Sequence, residues 1–212
     1  PKDDADLEKI AALGLPFWLA GAHGRPERLA SARAAGAAGI QVGTLFALSR
    51  ESGITEELRS QYFAQLAAGE TPIVRTDALA SPTSFPFKVA TLAGTLAEPD
   101  VYEKRERLCD LSYLRQPFLQ KNGDVGYRCA SEPVHMFVRK GGDPEDTVGR
   151  VCLCNALTST VGLGQTRMDG YVEPPLVTLG ADVDAVKAMF EAHPGGWSAA
   201  DVIAWLGVTP GD

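Results

Sequence analysis

Two short runs of the chain end in residues too small to keep a ligand away. Phe17-Trp18-Leu19-Ala20 gives way to Gly21-Ala22-His23-Gly24, and Gly39-Ile40-Gln41-Val42 gives way to Gly43-Thr44. A bulky Cβ at a strand tip would block an anion, whereas glycine and alanine let main-chain N–H groups face it. Taken singly, each turn is ordinary punctuation, because glycine follows many strands. The repetition one strand–helix unit apart favours a phosphate cradle over a plain pair of tight turns. The candidate binding residues are Gly21, Ala22, Gly43 and Thr44, the last with a hydroxyl to donate. Gln41 joins them, with an amide able to reach a more distant oxygen of the ligand.

Other chemistry-bearing residues are fewer. His23 could donate to the phosphate or act as an acid or base near neutrality, but a loop histidine is the preferred reading. His135, beside Met136 and Phe137, reads as a helix-face residue, and His193, before Pro194-Gly195, as solvent-exposed. No Ser-His-Asp, paired-glutamate or His-Glu-x-x-His arrangement is visible, so hydrolysis has no support and no catalytic residue is assigned. Cys109, Cys129, Cys152 and Cys154 are the only cysteines. Cys152-Leu153-Cys154 could offer two thiolates to a metal that Cys109 and Cys129 complete, yet only one pair is close in sequence, which favours packed thiols. The segment from Thr76 to Lys88 mixes polar donors, aromatics and two prolines. It reads equally as a flap bringing Ser81 or Lys88 to an anion and as a connector. The runs Glu103–Arg107 and Gly141–Asp146 read as solvated surface.

The elements that must hold the cradle alternate. Helices are expected over Asp4–Leu13 (stopped by Gly14) and Arg25–Ala35, a helix start at Leu45–Ser49, and an amphipathic helix over Thr55–Ala68 carrying Leu58, Tyr62, Phe63 and Leu66. Strands are expected over Pro16–Ala20, apolar on both faces as in a buried parallel sheet, and over Ala37–Val42. Short connections in α-β-α-β-α order are the rhythm of α/β units. Pro72-Ile73-Val74 reads as a further strand and Ala80–Ala97 as extended chain. Residues 98–180 are dense in Gly and Pro and read as irregular. Helices at Asp182–Ala192 and Ser198–Leu206, the latter capped by Ser198, close the chain.

Two such units match the phosphate site that an eight-stranded α/β barrel builds after its seventh and eighth strands. Two strands cannot close a barrel, so the other six are expected from an upstream segment or a partner chain. The opening Pro1-Lys2-Asp3-Asp4, without methionine, fits a C-terminal portion of something longer. The expected organisation is barrel units over 1–92 and an irregular, cysteine-containing extension over 93–212.

The bulk numbers narrow the class. With 212 residues, 45% of them hydrophobic, the chain can bury a sizeable core. A formal net charge of −7 without a basic block disfavours nucleic acid. No run approaches a membrane span and no secretory leader is recognisable, so a cytoplasmic protein with reduced cysteines is expected.

Leu15 to Gly53 resembles the last two strand–helix units of the nitronate monooxygenases, FMN-dependent (β/α)8 barrels once called 2-nitropropane dioxygenases. The resemblance runs on through Ala80-Ser81-Pro82-Thr83, Phe85-Pro86-Phe87-Lys88-Val89, Tyr127-Arg128-Cys129, Val138-Arg139-Lys140-Gly141-Gly142, Asp146–Arg150 and Cys152–Asn155, which look like the C-terminal extension of a bacterial branch. It implies that Gly21-Ala22 and Gly43-Thr44 hold the FMN phosphate and that the enzyme oxidatively denitrifies alkyl nitronates. Ala22 and His23 stand where many relatives have glycine and an aliphatic residue, and alanine there is expected to avoid positive φ. The family's histidine base lies on an earlier strand, and His23 does not match it. An NAD(P)H-dependent enoyl-thioester reductase on the same barrel would use the same cradle. A noncatalytic fragment or subunit completing a partner's barrel is the third reading.

Overall fold

Asp6 accepts a hydrogen bond from the Lys9 N–H and so opens α1 (Leu7–Ala11) in the computed structural model, which describes residues 5–208. The expected helix start at Asp4 lies outside those residues. β1 (Trp18–Ala20) follows, then α2 (Pro26–Ala34), whose leading proline suits a first turn where no N–H is needed. β2 (Gly39–Gln41) pairs with β1 in parallel, with Trp18, Leu19 and Ala20 opposite Gly39, Ile40 and Gln41. α3 (Thr44–Ala47) closes this part.

The fold is mixed α/β, and among the described residues the strands pair into three two-stranded sheets. The chain divides into two compact units, 1–52 with 180–212, and 53–179. The expected boundary at residue 92 falls inside the second, and the two terminal helices, expected in the extension, belong to the first.

In the first unit, α8 (Val183–Ala192) and α9 (Ala199–Trp205) supply the packing that a two-stranded sheet cannot. Val186, Met189, Trp197 and Val202 are fully buried, with Leu45 and Leu48 of the α3 region almost so. The Trp197 indole N–H donates to the Leu45 carbonyl at 2.7 Å, which lets a large ring be buried without an unpaired donor. Ser198 caps α9 as expected and shares a capping box with Asp201. The expectation that β1 is buried on both faces is corrected. Trp18 is 60% exposed, Ala20 is exposed and Leu19 only half-buried, whereas α2 packs on β2. α1 likewise has no buried residue.

The second unit begins with α4 (Glu56–Ala67), which buries Leu58, Tyr62 and Leu66. β3 (Val74–Asp77) and β4 (Phe87–Ala90) are antiparallel, and the chain at 177–179 runs along the free side of β4. α5 (Pro99–Lys104) precedes a hairpin of β5 (Gln116–Leu119) and β6 (Val125–Arg128), then α6 (Val134–Arg139), a 3₁₀ turn at Pro144–Thr147, and α7 (Leu153–Thr160). The segment expected to be irregular thus carries regular elements. Its core gathers Ala80, Val89, Leu96, Val151, Leu153, Ala156 and Leu176.

The expectation of solvated surface at Glu103–Arg107 holds for Glu103, Lys104 and Glu106, which are exposed, and fails at the two arginines. Arg105 is buried against Glu173, and the Arg107 guanidinium donates to the carbonyls of Ala130, Glu132 and Thr147, tying loops together. A guanidinium buried this way is held by paired acceptors rather than by water.

Candidate functional site

The parallel register decides the geometry of the cradle. Ala20 stands opposite Gln41, so the turns that follow them leave from neighbouring strand ends. Neighbouring strands lie about 4.8 Å apart, within the span of one phosphate group's contacts. Gly21, Ala22, Gly43 and Thr44 are therefore at one end of one sheet, and Gln41 is exposed on the last pair of that ladder.

The first turn is left-handed at two successive residues, Gly21 at φ +84° and Ala22 at φ +54°. The expectation that Ala22 avoids positive φ is overturned. An L-residue there gives up roughly 1–2 kcal/mol, so its surroundings must hold it. Two contacts do. The His23 imidazole folds back through Nδ1 to the Gly21 carbonyl, and Gly24 is clamped where a Cβ would lie 3.2 Å from the Ala185 Cβ and 3.4 Å from Leu45. The Trp205 indole N–H fixes the Gly24 carbonyl at 3.1 Å. His23 thus shapes the turn, and with Nδ1 donating, its neutral form keeps Nε2 as acceptor.

The second turn has ordinary geometry. Gly43 sits at φ −102° and ψ −58° as the residue preceding α3. A Cβ built on Gly43 meets no atom within 4 Å, and the same is true of Gly21. The space both glycines face is open rather than filled by packed side chains. Thr44 Oγ1 accepts from the Gly180 N–H at 2.8 Å, which leaves its own proton for a second partner. α3 is four residues long, so an anion there would rest on individual first-turn N–H groups more than on a macrodipole.

The other candidates fall elsewhere. Ser81 and Lys88 belong to the second unit, where Ser81 Oγ pairs with Thr83 Oγ1 at 2.8 Å and Lys88 Nζ donates to Thr76 Oγ1 at 2.7 Å. His135 is exposed on α6, whereas His193, expected to be solvent-exposed, is half-buried as the residue that ends α8. The four cysteines are free thiols, and among the described residues no group of three or more His, Cys, Asp or Glu side chains could hold a metal ion. Burial pushes the Cys152 thiol up to about 12 and raises that of Cys129, which keeps both protonated and unreactive at neutral pH.

Sequence reading missed a polar cluster in the second unit that is buried at Arg105, Asn155 and Glu173 and reaches the surface at Asp110. Glu173 binds Arg105, Asp110 accepts from Asn155 Nδ2 at 2.6 Å and from Arg167 at 3.0 Å, and Arg167 stacks over the Tyr171 ring at 4.6 Å. Its members are scattered from 105 to 173, and no local spacing could have joined them. No described helix is long and apolar enough to cross a membrane. No protein-family model, no curated protein and no solved structure matches the chain.

Proposed function

We propose that the chain supplies the phosphate-binding strand tips of a cytoplasmic FMN-dependent (β/α)8 barrel whose reaction is the oxidative denitrification of alkyl nitronates. One observation carries the reading. Gly21-Ala22 and Gly43-Thr44 follow paired parallel strand ends, and a Cβ at either glycine meets open space. That is the fit an anion needs: close main-chain approach with no side chain in its place.

In this reading the N–H groups after Gly21 and Gly43, with the Thr44 hydroxyl, bind the phosphate, and Gln41 reaches beyond it. His23 holds the first turn in its left-handed form and is a positioning residue, not a base. The bound flavin supplies the electron-transfer chemistry, and these residues bind and orient it. The base and the remaining strands come from an upstream segment or a partner chain. The lone β1–β2 pair and the uncovered Trp18 support that assignment.

The test compares FMN with riboflavin, which lacks the phosphate, by flavin fluorescence quenching on the purified chain. FMN is expected to bind more tightly. Gly43→Val should erase at least tenfold of that advantage, about 1.4 kcal/mol. A Cβ at Gly43 touches nothing in the protein, so the fold should survive and the loss should report on the anion. Equal affinity for the two flavins, or an unaffected Gly43→Val, overturns the cradle. Once the segment or partner that completes the barrel is added, nitrite release from an alkyl nitronate separates denitrification from the reductase, whose flavin would instead be reduced rapidly by NAD(P)H without oxygen.

A further inference from the structure

The second unit contains a cavity of about 520 Å³, walled by Phe85, Phe87, Tyr113, Leu114, Leu153 and Leu157. Small-molecule sites span roughly 300–1,000 Å³, so the volume is that of a ligand and not of a packing defect. Its walls are preformed. Leu153 belongs to the core cluster, and Phe87, Leu114 and Leu157 pack directly against it. Phe85 meets Phe87 edge to face at 4.9 Å, and at the rim Phe85 stays 60% exposed and Tyr113 74%. Two large aromatic side chains thus stand in solvent beside an apolar hollow.

The geometry points to a binding site for a neutral apolar small molecule, a hydrocarbon chain or fused aromatic ring. The polar atoms of the lining decide the chemistry. Ser81 Oγ and Thr83 Oγ1 bond each other, and the Thr83 N–H also donates to Ser81 Oγ. Thr158 Oγ1 donates to the Asn155 carbonyl at 2.7 Å. These hydroxyls already have protein partners, so a polar ligand entering the cavity would give up bonds to water and find few replacements. No carboxylate, ammonium, guanidinium or imidazole lines the cavity, which leaves a charged group uncompensated there. An apolar ligand gives up nothing and covers Phe85 and Tyr113. Cys154 also lines the wall, half-buried and free, and reports on occupancy. The site stands apart from the flavin reading, since every lining residue lies between 81 and 158, inside the second unit.

The experiment titrates the full chain with 1-aminoanthracene, followed by its fluorescence, with decanol as competitor. One saturable site displaced by decanol is expected. Leu157→Trp, which fills the cavity, should weaken the dye at least tenfold while the circular dichroism spectrum and Tm stay close to the parent's. On the unmodified chain, decanol should slow alkylation of Cys154 by N-ethylmaleimide several-fold and leave Cys109 unchanged, read by peptide mass spectrometry. That second measurement needs no variant, so a misfolded Leu157→Trp does not decide the matter. Non-saturable uptake, equal protection of both cysteines, or dye binding that vanishes as the chain dimerises overturns the proposal. The last outcome would assign the hollow to a second copy of the chain.

Discussion

Glu173 shows how much rests on one side chain. It is fully buried, pairs with Arg105, whose side chain is 2% exposed, and lies 4.0 Å from Arg167. Replacing it by glutamine leaves a buried guanidinium uncompensated, and the loss should be about 3–5 kcal/mol in urea unfolding. Adding Arg105→Met should restore part of it, because it removes the unpaired charge and leaves only a neutral amide beside it. A double variant as unstable as Glu173→Gln would show that Arg105 is held by something other than its partner. Tyr62 gives the opposite case. It is fully buried, and its hydroxyl finds no protein partner. Tyr62→Phe should therefore leave stability unchanged or raise it by up to about 1 kcal/mol. Burial pushes the Tyr62 phenol from 10.0 up to about 12. Between those values the folded chain keeps a proton that the unfolded chain releases, so stability falls as pH rises through this window. The phenylalanine variant should lack that part of the alkaline loss in a Tm–pH profile.

Elements were legible where a terminator sat beside a period. α2, expected over 25–35, forms over Pro26–Ala34, and α4, expected over 55–68, over Glu56–Ala67. Pro26 and Gly69 mark their ends, and the apolar spacing of Leu58, Tyr62 and Leu66 faces the core. The parallel β1–β2 pair was equally readable, with its tips at the candidate cradle. The hairpin β5–β6 was not read, although Asn122-Gly123 stands in its turn with Gly123 at φ +89°, the strongest short-range hairpin signal there is. Gly and Pro density over 98–180 masks it, and masks the helix α7 that carries Cys154 as well. Long-range pairs such as Arg105–Glu173 leave no local trace at all. At α9 the cap itself can be tested. The Ser198 N–H and hydroxyl hold the Asp201 carboxyl below the usual carboxylate range. The folded chain then binds fewer protons, so this contribution is complete above the ordinary aspartate pKa and fades as pH falls through the folded value. Ser198→Ala should lower stability by about 1 kcal/mol near neutrality. It should also flatten the acid side of the Tm–pH profile, and an unchanged acid limb would show that the box contributes nothing there.

At the scale of the molecule, the two units differ in how they are drawn from the chain. The core cluster of the second, from Ala80 to Leu176, and the buried face of α4 both lie within 53–179. Expressed by itself, 53–179 should unfold in one cooperative thermal transition with the parent's near-ultraviolet signal from its tyrosines. A broad, non-cooperative melt would mean that its core needs the other unit. The first unit should behave differently. Residues 1–52 without 180–212 lose the buried Met189, Trp197 and Val202, and with them the packing of α8 and α9 on α3.

That discontinuity sets an order of events during synthesis. At ordinary elongation rates, the roughly 130 residues between the halves of the first unit take on the order of ten seconds to appear. For that interval β1, with its uncovered Trp18, waits at the ribosome without α8 and α9 to complete its unit. If the middle unit condenses meanwhile, it draws the loop ends into a smaller volume and lowers the entropy of their later meeting. A nascent chain stalled before residue 180 should then be a ready client for holdase chaperones, released once Trp197 emerges to pack against Leu45.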